Sequence, residues 1–309
     1  MTPDLCTTYS RAMGYLELTT DDERTLEILV GGDPEGYPWL YHSGSPSAAV
    51  PFAPIDEAAR AQGLRMITWS RAGYGGSSPR LPEQGPPRMV DDVSDAVAVL
   101  DHLGVGDFVT LGWSGGGPRA LACAALLPDR CRAAASLAGV APHDAHGLDW
   151  FAGMAAENVA EYTAAEQGAD AYAAYLTAEF LPVMQASADD LIEAMGTLLT
   201  PVDQAALDRP YADYLAETFR RAGAQGVVGV RDDGLAAAAP WGFDLASISV
   251  PVAIWQGRQD AMVPYAHGAW LATHVPGATP HLFEDEGHLS LLAQLDTILA
   301  DLKVLAGLG

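Results

Sequence analysis

Lysine is almost missing from this chain. Lys303 is the single example, so the other fifteen of its sixteen basic residues are arginine. Forty acidic residues stand against those sixteen, a formal net charge of −24. A surface this anionic repels phosphate backbones and anionic lipid headgroups, which excludes nucleic acid and charged membrane surfaces as expected partners. The preference for Arg, Ala and Gly is what a GC-rich genome encodes. Cysteine is scarce as well: Cys6, Cys123 and Cys131 are an odd number with no C-x-x-C pair. That excludes a disulfide framework and points to a reducing, cytoplasmic setting. No apolar run approaches the roughly 18 residues of a membrane span. Residues 1–6 lack the basic and then apolar pattern of a signal peptide. Internal repeats and low-complexity linkers are also lacking.

What remains is a chain of 309 residues, 49% of them apolar, enough for one large core or a domain carrying an insertion. Residues 14–18 and 24–30 read as a hairpin and 38–42 as a third strand. Residues 55–62 read as a short helix and 64–69 as a buried strand. Val90, Val93, Val97 and Leu100 fall on one helical face. A strand over 107–111, a helix over 118–127 and a strand over 132–138 follow. This alternation predicts an α/β fold, a mostly parallel sheet with helices on both faces. It breaks after Val140. From 142 to about 240 the pattern is helical (150–166, 169–180, 188–199, 211–222), and strands return at 250–255 and 280–283. The expected organisation is therefore a core of residues 1–141 and 241–309 with a helical cap of residues 142–240 inserted in it. Such an insertion would lie over the carboxyl ends of the strands, where open α/β sheets bind ligands.

The chemistry-bearing stretch is Gly112-Trp113-Ser114-Gly115-Gly116, a G-x-S-x-G sequence between a strand and a helix. Small residues two positions either side let strand and helix pass closely, which lifts the serine Oγ clear and aims the helix N-terminus at the reacting oxygen. A serine nucleophile needs a base, and the base needs an orienting group. Asp260 follows directly on the strand ending at Trp255, and His288 on the strand ending at Phe283. Both fall in strand-to-helix loops on the same edge as Ser114. Ser114, Asp260 and His288 are the expected catalytic residues, with His288 as general base and Asp260 holding its tautomer.

With these motifs the chain resembles the α/β-hydrolase superfamily over nearly its whole length. The serine elbow, Gly257-Arg-Gln-Asp260 and Glu286-Gly-His288 match the family's nucleophile, acid and histidine motifs. Arg71-Ala-Gly-Tyr-Gly-Gly-Ser77 resembles its loop after the fourth strand, and the insertion falls where the family carries its cap. The resemblance implies an oxyanion hole made by the Gly115 N–H and a donor from Ser43-Gly44-Ser45-Pro46. Against the family's H-G-x-P, Ser45 is the donor and a serine replaces the usual histidine, with Ser43 or Gly44 able to shift into the role; His42 comes one place too early. Gly44 and Trp113 are expected at the substrate pocket, Trp113 either lining it or packing beneath the elbow.

The implied activity is hydrolysis of a small, uncharged ester or lactone through an acyl-enzyme on Ser114, with no cofactor and no metal. A proline iminopeptidase-like aminopeptidase, a carbon–carbon bond hydrolase, a perhydrolase and a non-catalytic ligand receptor on the same fold are the alternatives. An acidic patch in the pocket would favour the peptidase. His143 and His146 form an H-x-x-H without an evident third ligand, and Asp144 is a reserve for the acid. Glu157, Glu161, Glu179 and Glu217 are expected on a solvated face, and Cys123 and Cys131 as buried spacers. The acyl and leaving groups and the oligomeric state are not encoded in any of these patterns.

Overall fold

The computed structural model describes residues 14–309, so Cys6 and the N-terminal segment lie outside the described residues. Eight strands form one sheet: β1 (Gly14–Thr19), β2 (Thr25–Gly32), β3 (Tyr37–His42), β4 (Leu64–Trp69), β5 (Phe108–Trp113), β6 (Cys131–Leu137), β7 (Val252–Gly257) and β8 (Thr279–Phe283). Their order is β1-β2-β4-β3-β5-β6-β7-β8. β2 pairs antiparallel with β1 and with β4, and the strands from β4 to β8 run parallel.

Burial on both faces explains why the central strands are apolar without alternation. Successive residues point to opposite sides: Ile28 and Ile67 enter one core, Leu29 and Met66 the other. The second core is closed by helices α1 (Ala53–Ala61) and, at the end of the chain, by Leu295, Ile298, Leu299 and Leu302. The first is closed by α2 (Asp92–His102) and α3 (Gly117–Leu126).

Between β6 and β7 the chain leaves the sheet for the helical insertion. It contains α4 (Ala156–Glu166), α5 (Ala169–Tyr175), a π-helical turn (Leu176–Phe180), α6 (Leu181–Met184), α7 (Ala188–Ala194), α8 (Pro201–Ala206), α9 (Arg209–Ala222) and α10 (Val228–Ala238). After the return, α11 (Tyr265–His274) and α12 (Leu295–Leu305) complete the chain. The helix expected from residue 150 begins only at Ala156. Gly153 adopts φ 86°, and Trp150 turns inward to donate Nε1–H to the Ala141 carbonyl at 2.9 Å. The helix expected over 188–199 stops at Ala194, followed by Gly196 at φ 47° and a 3-10 turn.

Three insertion helices, α6, α8 and α10, are not expected from the sequence. The last has a particular reason. Gly229 lies against the Tyr74 ring, where a Cβ would come within 2.6 Å, and Gly234 against the Tyr172 hydroxyl, where a Cβ would come within 2.1 Å. Their glycines let α10 wedge between the core loop after β4 and α5, but they also weaken the helical signal.

Candidate active site

The elbow is built by close approach. A Cβ on Gly112 would come within 2.0 Å of the Gly116 carbonyl oxygen, and one on Gly116 within 2.1 Å of the His42 carbonyl oxygen. Only glycine fits at either place. Ser114 between them has φ 56°, the left-handed region that a non-glycine residue occupies only when its surroundings hold it there.

The parallel strands bring three loops together at one edge. Asp260, after β7, is buried, and its carboxylate is an acceptor four times over. Oδ1 receives the N–H groups of Met262 at 2.9 Å and Val263 at 2.8 Å. Oδ2 receives Gln256 Nε2 at 3.0 Å and lies 2.8 Å from His288 Nδ1. With the carboxylate an acceptor only, the proton of that last bond sits on Nδ1, and Nε2 is left as the acceptor nitrogen. Burial alone would lower the His288 pKa, but the adjacent Asp260 charge and hydrogen bond outweigh it and raise it above the usual 6.5.

Ser114 and His288 line one cavity of about 350 Å³, together with Gly44, Ser45, Trp113 and Gly115. Trp113 both faces this cavity and packs under His288, its ring centroid 5.5 Å from the imidazole and its Nε1 donating to the His288 carbonyl at 3.3 Å. A Cβ built on Gly44 would touch the Ser114 Cβ at 3.2 Å. One built on Gly115 would stand 3.4 Å from the Ser45 backbone nitrogen, so the two expected oxyanion donors are neighbours. His42 is elsewhere. Buried under the sheet edge, edge-on to Trp69 and 3.7 Å from Cys123 Sγ, it has its pKa lowered to about 3 by burial and by the Arg119 and Arg71 charges.

Core residues such as Met89, Val140 and Met262 complete the wall on one side, and the insertion supplies much of the remainder, chiefly aliphatic and aromatic side chains such as Phe180, Met195, Leu215 and Phe219. The expectation of a solvated acidic face is corrected for Glu161, which lines the cavity; Glu157 and Glu179 also border it, Glu179 while exposed to solvent, and Glu217 is half-buried and paired with Arg220. Glu161 accepts a hydrogen bond from Tyr172 Oη at 2.6 Å, and burial, only partly offset by that bond, raises its carboxyl to about 7. Asp144 is exposed, and no group of three or more His, Cys, Asp or Glu among the described residues is placed to hold a metal ion. Cys123 and Cys131 are both buried.

Two insertion aspartates reach the site, and no sequence pattern marks either. Asp203 on α8, fully buried, accepts the backbone N–H groups of His288 at 3.1 Å, Leu289 at 2.8 Å and Ser290 at 3.0 Å. It is the cap of the loop that carries the histidine. Asp233 on α10, 7% exposed, sits between two buried arginines and bonds Arg71, Arg119, Ser45 Oγ and, at 3.0 Å, Tyr74 Oη. Burial opposes its charge, yet Arg119 and Arg71 prevail and hold its carboxyl at about 2. Each pairing bridges more than 80 residues of chain, too far for any local motif.

Compared with known proteins, residues 37–293 match the family described as alpha/beta hydrolase fold. Among solved structures, a hydrolase from Pseudomonas aeruginosa PA01 is similar with a TM-score of 0.68 and 18% identity, covering 95% of this chain and 98% of that one. An esterase from Exiguobacterium antarcticum is similar with a TM-score of 0.66 and 16% identity, covering 94% and 98%. The enol-lactonase from Burkholderia xenovorans LB400 is similar with a TM-score of 0.64 and 17% identity, covering 94% and 100%. At these identities the likeness is one of fold. No match is found among curated proteins.

Proposed function

The chain belongs to the alpha/beta hydrolase fold family, and within it we propose a serine hydrolase that cleaves a small carboxylic ester or lactone. The observation that carries this reading is the 2.8 Å bond from His288 Nδ1 to a four-times-bonded Asp260 carboxylate, in the wall of the cavity that also holds Ser114. That arrangement leaves Nε2 to take the proton of Ser114 Oγ as the oxygen attacks the carbonyl carbon. The negative charge passing to the carbonyl oxygen is received by the N–H groups of Ser45 and Gly115. The imidazolium, stabilised by Asp260, returns its proton to the leaving alkoxide. Water then enters and attacks the acyl carbon as Nε2 takes its proton; the bond to Ser114 Oγ breaks, the imidazolium returns the proton to Oγ, and the acid leaves. The insertion, residues 142–240, acts as a cap that shapes the acyl pocket. The esterase and lactonase among the structural neighbours and the mainly apolar cavity wall support an ester or lactone over a larger polar substrate.

A second reading has one observation in its favour. Glu157, Glu161 and Glu179 face the same cavity, and carboxylates there suit a substrate bearing an amine, such as an amino-acyl ester or amide. Side-by-side kcat/KM values for a neutral acyl ester and its α-amino counterpart decide between the two.

The test of the chemistry is covalent. A fluorophosphonate probe is expected to label wild-type protein stoichiometrically at Ser114, and Ser114→Ala and His288→Ala not at all, with both variants still folded. Folded wild-type protein that resists the probe and turns over no ester would refute the hydrolase reading.

A further inference from the structure

Asp233 belongs to the insertion, yet its bonds run to the catalytic loops of the core. Arg71, in the loop after β4, and Arg119, in the first turns of α3, converge on its two carboxylate oxygens. Both guanidiniums are buried, and each also donates to a backbone carbonyl of the loops around Ser114. Arg71 donates Nη1–H to the Ser43 oxygen and Nη2–H to the Gly44 oxygen, each at 2.8 Å. Arg119 donates to the Gly115 oxygen and, through Nε, to Asp92. The Ser45 hydroxyl donates to Asp233. All three nitrogens of each arginine are engaged by these partners, although Arg119 and Asp233 also border the cavity.

The peptide geometry gives these contacts a consequence. The Gly44 carbonyl and the Ser45 N–H belong to one planar peptide unit and point in opposite directions. A guanidinium that grips the oxygen therefore sets the direction of the N–H and polarises it as a donor. Arg119 holds the Gly115 carbonyl and so fixes the Gly115–Gly116 peptide unit, directly after the one that carries the Gly115 N–H. Two buried cations held this close repel each other, and the shared carboxylate keeps them in register.

We propose that Asp233 is a positioning residue for the oxyanion hole: from the helical insertion it aligns Arg71, and through it the peptide unit that presents the Ser45 N–H, while Arg119, held by the same carboxylate, anchors the peptide unit next to the one that presents the Gly115 N–H. The inference rests on the serine-hydrolase reading above. It makes the insertion part of the catalytic apparatus as well as the pocket wall.

The experiment uses full-length protein with Asp233→Asn, measured on an ester that the wild type hydrolyses and with a trifluoromethyl ketone inhibitor, whose hydrated or serine-bound form mimics the tetrahedral oxyanion. Misplacement of a reacting group by about 1 Å can cost about 100-fold, so kcat is expected to fall about 10- to 100-fold. KM should stay within about twofold, and ketone affinity should fall in step with kcat. A merely structural role would lower the melting temperature without that split. If Asp233→Asn does not fold, Arg71→Lys takes its place. It keeps a cation opposite Asp233 but loses the fork that reaches two carbonyls at once, and the same split is expected. A folded variant with wild-type kcat and ketone affinity, or with a loss confined to KM, overturns the inference alone. Wild-type protein that neither labels with fluorophosphonate nor hydrolyses any ester overturns the hydrolase reading and this inference with it.

Discussion

His288 is subject to two opposed influences, and their balance has a measurable sign. Burial favours the neutral ring and Asp260 the charged one, and Asp260 prevails. The neutral ring is the general base, so the acid limb of kcat/KM against pH is expected with its midpoint above 6.5. A midpoint at or below 6.5 would contradict the reading of Asp260 as its partner. Linkage runs the other way for stability. The raised folded-state pKa contributes stability that is complete below 6.5 and lost as pH rises through the folded value. Activity and this stability contribution thus trade places across the same pH window, to be followed by parallel rate and melting series. At this scale much was legible. Ser114, Asp260 and His288 each sit in a local pattern at the end of a strand, and the parallel order of β5, β7 and β8 puts those ends on one edge. Glu161 was not, because nothing in a helical segment's own sequence tells which face a cavity will occupy.

Among the elements, α8 and α10 do what their sequences do not announce. Each is an insertion helix that lends one buried carboxylate to a loop of the core. Asp203 serves three consecutive N–H groups, and Asp203→Asn replaces an acceptor oxygen by a donor that faces other donors. An unsatisfied buried group costs about 1–3 kcal/mol, so urea unfolding is expected to show a loss of about that size, with a lower kcat as the His288 loop loosens. Unchanged stability would mean that Ser290 Oγ, which accepts the Gly287 N–H at 2.8 Å, suffices to hold the loop. The strands and the core helices could be read from hydrophobic runs and periodicity, since their burial is one-sided or complete. For α10 neither signal exists. It is flanked by packing on opposite sides, so no single stripe stands out, and Gly229 and Gly234 fit a close approach that only the folded chain reveals. Asp203 and Asp233 were illegible for a plainer reason: their partners are remote in sequence.

The molecule as a whole carries its charge unevenly. Arg24 is buried against Asp95, with Nη2 to Oδ1 at 2.6 Å, tying the turn between β1 and β2 to α2, and Arg71 and Arg119 are paired with Asp233. Among the described residues the buried charges are three arginines and six aspartates, so most of the net charge of −24 lies outside, where acidic groups outnumber basic ones and repel one another. Such self-repulsion is screened once the Debye length falls well below the distance between charges, about 10 Å at 0.1 M salt and about 3 Å at 1 M. Melting temperature is therefore expected to rise between low salt and about 0.5 M sodium chloride. A flat profile would show that the net charge of −24 costs the fold nothing. No helix among the described residues is long and apolar enough to cross a membrane.

The insertion sits wholly within one crossover, from β6 to β7, so its length and sequence can change without disturbing the pairing of any strand. For descent this is a hinge point of variation: a relative could acquire a different cavity by exchanging that block in one event. The exchange has a condition. A borrowed block lacking carboxylates where Asp203 and Asp233 stand would strand three backbone amides behind His288 and two guanidiniums behind Ser45. Under the proposed function, a block exchanged there would carry a new pocket with it only if it also brought these two anchors.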